Sequence, residues 1–412
     1  MTSINYNPLL TKTLVKKNFF KKNKFVLMDI GSLGGIQDHY KVFGDQIEVI
    51  GFEPIKEEFD KLDLNKKNFK FYNYAVGNKE FKNKKFYIRK NPSSSSFYEF
   101  NKDYIERFII AKNLEVKKII DLENVITLNE IAQKNINDID FIKIDAEGHE
   151  FEILSNAIFL FKKHNIIGLH SEFHFNRERI PESPIFSELD ILIRKFGFVL
   201  FDISVNRDSK KILPYPMNYN YHQDGNLNKP IFGNTIHGQV EMGDALYFKD
   251  NFNNTEISVH KILKQVCLYE IFYHSDSAAE LIIKFKEKID YLIDHKFLLD
   301  LLVPKIYRIK HNLSYNEYLL RFKNLDPIFQ PSIPGQNYIE EDYLYKSGNK
   351  RSIDNSESNL FYNKKRNLFA KLISKFIFII YFIIFKTLHK FKIINLESEI
   401  EILIKRLKSL SR

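Results

Sequence analysis

Cysteine is nearly absent from this sequence: Cys267 is the single cysteine in 412 residues. One cysteine excludes a disulfide framework and any zinc site built from several cysteines. The first 24 residues contain no apolar run long enough for a secretory signal peptide, so we expect a cytoplasmic location.

The excess of basic over acidic residues is concentrated at the end of the chain. The formal net charge is +10, and residues 364–412 contain twelve Lys or Arg against three Glu, which leaves about +1 for the first 363 residues. A nucleic-acid-binding body should carry its own basic surface. We therefore expect no nucleic-acid partner.

The chain is longer than a domain with a single hydrophobic core usually is. Its hydrophobic content of 44% is enough for a globular body. We predict two domains and a tail. The proposed division is a helical lead-in at 1–24, an α/β domain at 25–254, a helical domain at 255–345, a polar linker at 346–367 and a basic helical tail at 368–412.

Short apolar runs alternate with amphipathic stretches in the α/β domain, which is typical of a doubly wound, largely parallel sheet. Several runs are apolar throughout, as strands buried on both faces must be. The seven predicted strands lie at 25–30, 47–53, 69–76, 139–145, 166–173, 196–203 and 245–249. The segment 204–243 lacks periodicity and is predicted to be a loop or insertion.

A glycine-rich turn follows the first predicted strand, with Asp29 before it and Gly31, Gly34 and Gly35 within it. Glu53 ends the second strand, where a carboxylate can accept hydrogen bonds from ribose hydroxyls. The spacing does not fit the G-x-G-x-x-G of a dinucleotide site. Asp29 would repel a pyrophosphate but suits the positive charges of S-adenosylmethionine.

An acidic cluster follows the fourth strand, where Asp145, Glu147, His149 and Glu150 fall within six residues. Carboxylates this close should raise at least one pKa. Transfer of a methyl group to a hydroxyl benefits from a positioned base. Alternation along the fifth strand places His170, Glu172 and His174 on one face, so the candidate catalytic residues are Asp145, Glu147, His149, Glu172 and His174.

No metal is assigned to this cluster. A site formed by Asp145, Glu147, His149 and His174 is the alternative, and only geometry can decide it.

Several stretches resemble the FkbM methyltransferase family in order and spacing over about residues 20–250. They are DIGSLGG (29–35), GFEP (51–54), NYAVGN (73–78), VITLNEI (125–131), DFIKIDAEGHE (140–150) and the strand that contains Glu172. The resemblance implies a class I methyltransferase fold, S-adenosylmethionine as donor, and O-methylation, often of glycans or secondary metabolites.

The resemblance also implies site residues. Asp145, Glu147 and Glu172 would face the reaction centre, and residues near Ala75 and Val76 would lie by the adenine. The candidate cofactor residues are Asp29, Gly31, Ser32, Gly35, Glu53, Pro54, Ala75, Val76 and Asp145. Ser32-Leu33 departs from the family's usual Ala-Asn, which puts the loop's contacts in doubt but keeps both key glycines.

The tail contains ten uninterrupted apolar residues at 376–385, about 15 Å of helix, which is half a bilayer core. With its lysines, the segment 368–392 is predicted to lie on an anionic membrane surface; burial against the helical domain is the alternative. A short heptad pattern at 396–410 allows a homodimer.

We therefore expect an O-methyltransferase for a glycan or lipid-linked saccharide at the inner membrane face. The alternatives are an NAD-linked nucleotide-sugar enzyme and an inactive methyltransferase fold that serves as a membrane scaffold.

Overall fold

The computed structural model describes residues 4–134, 138–213 and 238–323. The chain divides into two compact units, Met1–Asn349 and Lys350–Arg412, and every described residue belongs to the first. The strands are β1 (Phe25–Ile30), β2 (Ile47–Phe52), β3 (Phe69–Tyr72), β4 (Ala75–Val76), β5 (Lys85–Arg89), β6 (Val116–Asp121), β7 (Val125–Ile126), β8 (Phe141–Ile144), β9 (Gly168–His174), β10 (Phe198–Asn206) and β11 (Met242–Lys249).

The α-helices are α1 (Leu9–Lys16), α2 (Lys56–Phe59), α3 (Lys102–Ile105), α4 (Ala111–Leu114), α5 (Leu128–Gln133), α6 (Glu150–Ser155), α7 (Ile158–Lys163), α8 (Phe186–Lys195), α9 (Val259–Ile271), α10 (Ser275–Lys284), α11 (Lys286–Asp290), α12 (His295–Leu302), α13 (Lys305–Lys310) and α14 (Tyr315–Phe322). Short 3₁₀ segments occupy Asp38–Gln46, Lys79–Phe81 and Pro92–Ser94.

Seven strands form one sheet in the order β10-β11-β9-β8-β1-β2-β3. Neighbours from β9 to β3 pair in parallel, whereas β11 runs antiparallel to both β9 and β10. This confirms the predicted seven-stranded, doubly wound sheet. The order reverses at β1, so the chain leaves a crevice beyond the carboxyl ends of β1, β2 and β8, where ligands bind in open α/β sheets.

Side chains of β1 alternate between two hydrophobic clusters, one on each face of the sheet. Phe25 and Leu27 pack with α1 and α9, whereas Val26 and Met28 pack with α5 to α8. All six residues of β1 are buried. The strand is apolar almost throughout because both of its faces are covered.

The N-cap of α9 is Ser258, whose hydroxyl accepts a hydrogen bond from the backbone N–H of Lys261. It packs on the face of the sheet that carries Phe141 and Phe248, in one hydrophobic cluster with them. Glu270 near its end accepts hydrogen bonds from the backbone N–H groups of Leu10 and Thr11 and thereby caps α1. The predicted boundary between an α/β and a helical domain stays a prediction.

Residues 150–163 form two helices, α6 and α7, rather than one. The side chain of Asn156 donates to the carbonyl of Glu152, and this local bond competes with continuation of the helix. The helix after β2 is short, since α2 covers only Lys56–Phe59.

The strand predicted at 69–76 is two strands, because β4 leaves the main sheet and pairs with β7. The antiparallel pair of β5 and β6 was not predicted from the sequence. Most residues of β6 are exposed, so it lacks the apolar pattern on which strand prediction depends.

The linker 346–367, the tail 368–412 and most of the insertion 204–243 lie outside the described residues. Among the helices of the described ranges, none combines the length and apolar character needed to cross a membrane.

Candidate active site

The glycine turn after β1 is fastened to the end of β2. The N–H groups of Gly31 and Ser32 both donate to the carbonyl of Phe52, at 3.0 and 2.9 Å. Gly31 has φ +82°, and a Cβ there would lie 2.0 Å from the carbonyl oxygen of Asp145. Only glycine therefore lets the turn approach the end of β8 so closely.

The hydroxyl of Ser32 is used inside this turn. It donates to the carbonyl of Asp29 at 2.8 Å and accepts from the N–H of Phe52 at 3.0 Å, and the side chain is buried. The structure therefore places Ser32 as a brace of the turn rather than on the pocket wall.

A pocket of about 260 Å³ opens beside the turn, close to the lower end of small-molecule sites at about 300 Å³. The candidate residues that line it are Gly31, Gly35, Glu53, Pro54, Ala75, Val76, Asp145, Glu147 and His149. Two neighbouring strand ends, the β4 segment and the loop after β8 thus meet around one space.

Glu53 is the acidic residue on the β2 side of this pocket. Its side chain is buried, and its Oε1 accepts a hydrogen bond from the N–H of Ile55 at 2.8 Å. Burial raises the pKa of Glu53 to about 7, although the bond from Ile55 opposes the shift. The carboxylate is therefore oriented at the pocket wall and is only partly ionised at neutral pH.

Lys143 lies between Asp29 and Asp145 beneath the glycine turn. Its Nζ donates to the carbonyl of Gly31 at 2.9 Å and lies 3.4 Å from Asp29 Oδ1 and 3.2 Å from Asp145 Oδ2. Burial raises the pKa of Asp29 to about 6, and Lys143 opposes that rise. Asp29 thus faces the lysine beneath the turn and does not line the pocket.

Asp145, Glu147 and Glu172 converge at the carboxyl ends of β8 and β9. One carboxylate oxygen of each residue lies within 4.8 Å of the others. Burial raises the pKa of Glu172 well above its ordinary value, and the nearby charges of Glu147 and Asp145 add to the effect. Burial also raises the pKa values of Glu147 and Glu150, and the nearby carboxylate of Asp145 adds to both shifts.

The two candidate histidines lie outside that group of three carboxylates. His149 lines the pocket but packs among aromatic rings, with centroid distances of 4.1 Å to Phe81 and 5.1 Å to Phe97. Burial lowers the pKa values of His149 and His174 to about 3. Both imidazoles are therefore neutral at pH 7 and weak as bases.

Three buried cations at this edge, Lys143, Arg89 and Arg179, were not predicted from the sequence. Lys143 lies in the strand FIKI, and a charged residue inside an apolar strand was a usable signal. Arg89 donates to the carbonyls of Ser94 and Tyr98, and Arg179 forms an ion pair with Asp208 at 3.6 Å. The two arginines lie in or near stretches without clear periodicity, so nothing in the sequence marked them.

A larger cavity, about 970 Å³, lies among α9, α10 and α12 to α14. Its buried acidic residue, Glu270, already accepts the bonds that cap α1. The smaller pocket at the strand ends has the convergent polar groups and perturbed pKa values typical of an active site.

Comparison with known proteins supports a methyltransferase. Residues 35–200 match the model of the methyltransferase FkbM domain, and no curated protein matches the chain.

Three solved structures with a similar arrangement are distant in sequence. A TehB-like SAM-dependent methyltransferase from Corynebacterium glutamicum is 11% identical, with 59% of this chain and 89% of that chain covered and a TM-score of 0.26. Precorrin-6y C5,15-methyltransferase from Geobacter metallireducens is 8% identical, with 58% of this chain and 86% of that chain covered and a TM-score of 0.27. The magnesium protoporphyrin IX methyltransferase from Synechocystis with bound SAH is 8% identical, with 59% of this chain and 84% of that chain covered and a TM-score of 0.27. With TM-scores this low, the fold is defined by the chain's own strand order and register.

Proposed function

Because the chain carries an FkbM methyltransferase domain at residues 35–200, we propose that it transfers a methyl group from S-adenosylmethionine to a hydroxyl group. The observation that carries the proposal is the meeting of the glycine turn, Glu53 and the carboxylates after β8 around one pocket. The acceptor class that we propose is a glycan or lipid-linked saccharide.

The residues present fit the cofactor. The turn at Gly31 excludes any side chain, which leaves backbone facing the pocket. Glu53 offers a buried carboxylate at the strand end where a ribose lies in related α/β sites. Ala75 and Val76 supply an apolar wall on the side of the pocket expected to take the adenine.

When bound, S-adenosylmethionine would supply an electrophilic methyl carbon for the acceptor oxygen, with the sulfur as leaving group. The chain's own residues must orient the hydroxyl and receive its proton. Asp145 and Glu147 line the pocket, and Glu172 adjoins them. Burial raises the pKa of Glu147 to about 7, which makes it a stronger base than an ordinary carboxylate and suits it to proton removal near pH 7.

Calorimetric titration of the intact protein with S-adenosylmethionine tests the proposal. We expect binding, and we expect Glu53→Ala to weaken it by about tenfold to a hundredfold because the ribose hydroxyls lose a charged acceptor. Glu57→Ala is the matched control, since Glu57 is exposed on α2. Absence of binding in the intact protein, or binding of NADH in its place, would contradict the proposal.

Acceptor chemistry needs a separate experiment. Cellular glycans are compared by mass spectrometry with and without the protein, and with Glu53→Ala in its place. Loss of a methyl group from oxygen in both altered samples supports O-methyl transfer. Unchanged glycans would remove the saccharide class, and loss only when the whole protein is absent would favour a scaffold.

We further propose that residues 368–392 hold the enzyme at an anionic membrane surface and that 396–410 pair two copies. The support is the sequence pattern of apolar residues flanked by lysines. Vesicle sedimentation of the full chain should require anionic lipid and weaken with Lys371→Glu and Lys375→Glu. Equal sedimentation with neutral vesicles would exclude the electrostatic part.

A further inference from the structure

The three carboxylates at the ends of β8 and β9 have the spacing of ligands to one ion. Oxygens from Asp145, Glu147 and Glu172 all lie within 4.8 Å of one another. Two oxygens on one Mg²⁺ are separated by up to about 4.2 Å, and on one Ca²⁺ by up to about 4.8 Å, given the usual bond lengths. A single cation could therefore contact all three with little movement of the chain.

A second observation points to a ligand at this place. Glu147 Oε2 and Glu172 Oε2 are buried and have no hydrogen-bond partner among the described residues. Only 8% of Glu172 is exposed, and its side chain is directed at the other two carboxylates. Buried polar atoms in folded proteins are nearly always bonded, so these two oxygens require a partner, either water or a bound ion.

Of the cations in the described residues nearby, only Lys143 forms an ion pair at contact distance with one of these three carboxylates. Lys143 contacts Asp145 through Oδ2 and also binds the Gly31 carbonyl. Arg179 pairs with Asp208, and Arg89 donates to backbone carbonyls. These arginines act on Glu147 at longer range, but no described cation forms an ion pair with Glu172 at contact distance.

We propose that Asp145, Glu147 and Glu172 bind one hard divalent cation, of the class of Mg²⁺, Mn²⁺ or Ca²⁺. A ligand set made only of oxygen favours these ions, whereas zinc prefers the imidazoles that here lie outside the group. Three protein ligands leave positions for water or for oxygens of the acceptor. The proposal that a cation binds here does not depend on the proposed function. The further consequence, that the ion holds the acceptor hydroxyl and eases loss of its proton, rests on the proposed function.

Titration of the chelator-treated full-length protein with Mn²⁺, followed by the electron paramagnetic resonance of free Mn²⁺, tests the site. We expect Mg²⁺ or Ca²⁺ to displace the bound Mn²⁺. Glu172→Gln should weaken binding by about tenfold or more. Glutamine has the shape of the protonated acid, so we expect this variant to fold, and its thermal melting curve checks that.

Two control variants separate this site from general surface binding. Glu178→Gln changes an exposed carboxylate on the same loop region and should leave the affinity unchanged. Asp294→Asn alters the exposed group of Asp290, Asp294 and His295, which is the other described cluster with ligand spacing. It should not affect the tight site either.

The outcomes distinguish the two proposals. Mn²⁺ binding that survives Glu172→Gln but is lost with Asp294→Asn would overturn the buried site. So would absence of tight binding in a protein that still binds S-adenosylmethionine, and the proposed function would then stand alone. Tight Mn²⁺ binding lost with Glu172→Gln, in a protein that fails to bind the methyl donor, would support the cation site and contradict the proposed function.

Discussion

The buried carboxylates at the two ends of β8 differ in whether the protein itself supplies their counter-ions. Just before the strand begins, Asp140 is fully buried and lies 2.6 Å from Lys261 Nζ and 2.8 Å from Lys264 Nζ. Glu147 lies just after the strand ends, and Glu172 lies beside it on β9; both are buried, and neither forms an ion pair at contact distance with a described cation. The carboxylate before the strand therefore has two lysine partners, whereas these two carboxylates have none.

The helix α9, which follows β11, accounts for this difference. Both lysines that neutralise Asp140 lie on α9, which packs on the sheet through its apolar residues. A buried carboxylate that is paired with its counter-ions has a structural role, because removing one partner leaves the other charges buried and unpaired. A buried carboxylate without a counter-ion can instead bind a proton, a substrate or a metal ion.

The largest effect is expected at the paired end. Asp140→Asn leaves two buried lysines without their shared carboxylate and should lower the free energy of unfolding by about 3 to 5 kcal/mol. Chemical denaturation measures it. Asp138→Asn is the control, since its side chain is half exposed although it also contacts Lys261 at 3.0 Å, and it should cost about 1 kcal/mol or less. Equal losses would show that burial does not distinguish the two carboxylates.

At the open end, Gly31→Ala should weaken binding of S-adenosylmethionine by roughly 100-fold, because the added Cβ must displace the Asp145 carbonyl. Calorimetry measures the affinity. Gly34→Ala has a similarly strained φ of +71° but no atom within 4 Å of the added Cβ, so its loss should be smaller. If both variants behave alike, backbone strain rather than the close approach governs the site.

The pH dependence of cofactor binding should reveal Glu53. Its raised pKa of about 7 means that the carboxylate is ionised above pH 7 and protonated below it. A protonated carboxyl accepts hydrogen bonds less well, so affinity should fall about tenfold from pH 8 to pH 6. Glu53→Gln should flatten this profile. A profile that keeps its slope in the variant would assign the titration to another group, such as Asp29.

The last expected effect is a gain in stability from Glu172→Gln. The pKa of Glu172 is higher in the folded than in the unfolded protein, so the wild type loses stability as pH rises above about 4.5. In chelator, the variant should match the wild type near pH 4 and be the more stable of the two at pH 8. Thermal melting at both pH values checks this, and a destabilised variant at pH 8 would mean that the carboxylate is already paired.

Strand positions were predictable because each central strand is covered on both faces and therefore reads as a continuous apolar run. The exposed β6 gave no such signal, and the break at Asn156 depends on one local side-chain bond. Among the site residues, Gly31 and Glu53 were predictable from turn and strand-end chemistry. Lys143 was visible in the sequence as a charge inside an apolar strand, but its partners were not.

Chain order alone determined the doubly wound sheet and the edge at which a ligand would bind, because alternating strands and helices of this length can cover a parallel sheet in few ways. Tertiary packing decided which carboxylates meet. Glu172 joins Asp145 and Glu147 because β9 lies beside β8, whereas His149 turns into an aromatic cluster. The tertiary structure likewise decided which counter-ions neutralise a buried charge, since the two lysines that pair with Asp140 lie more than 100 residues later, on α9.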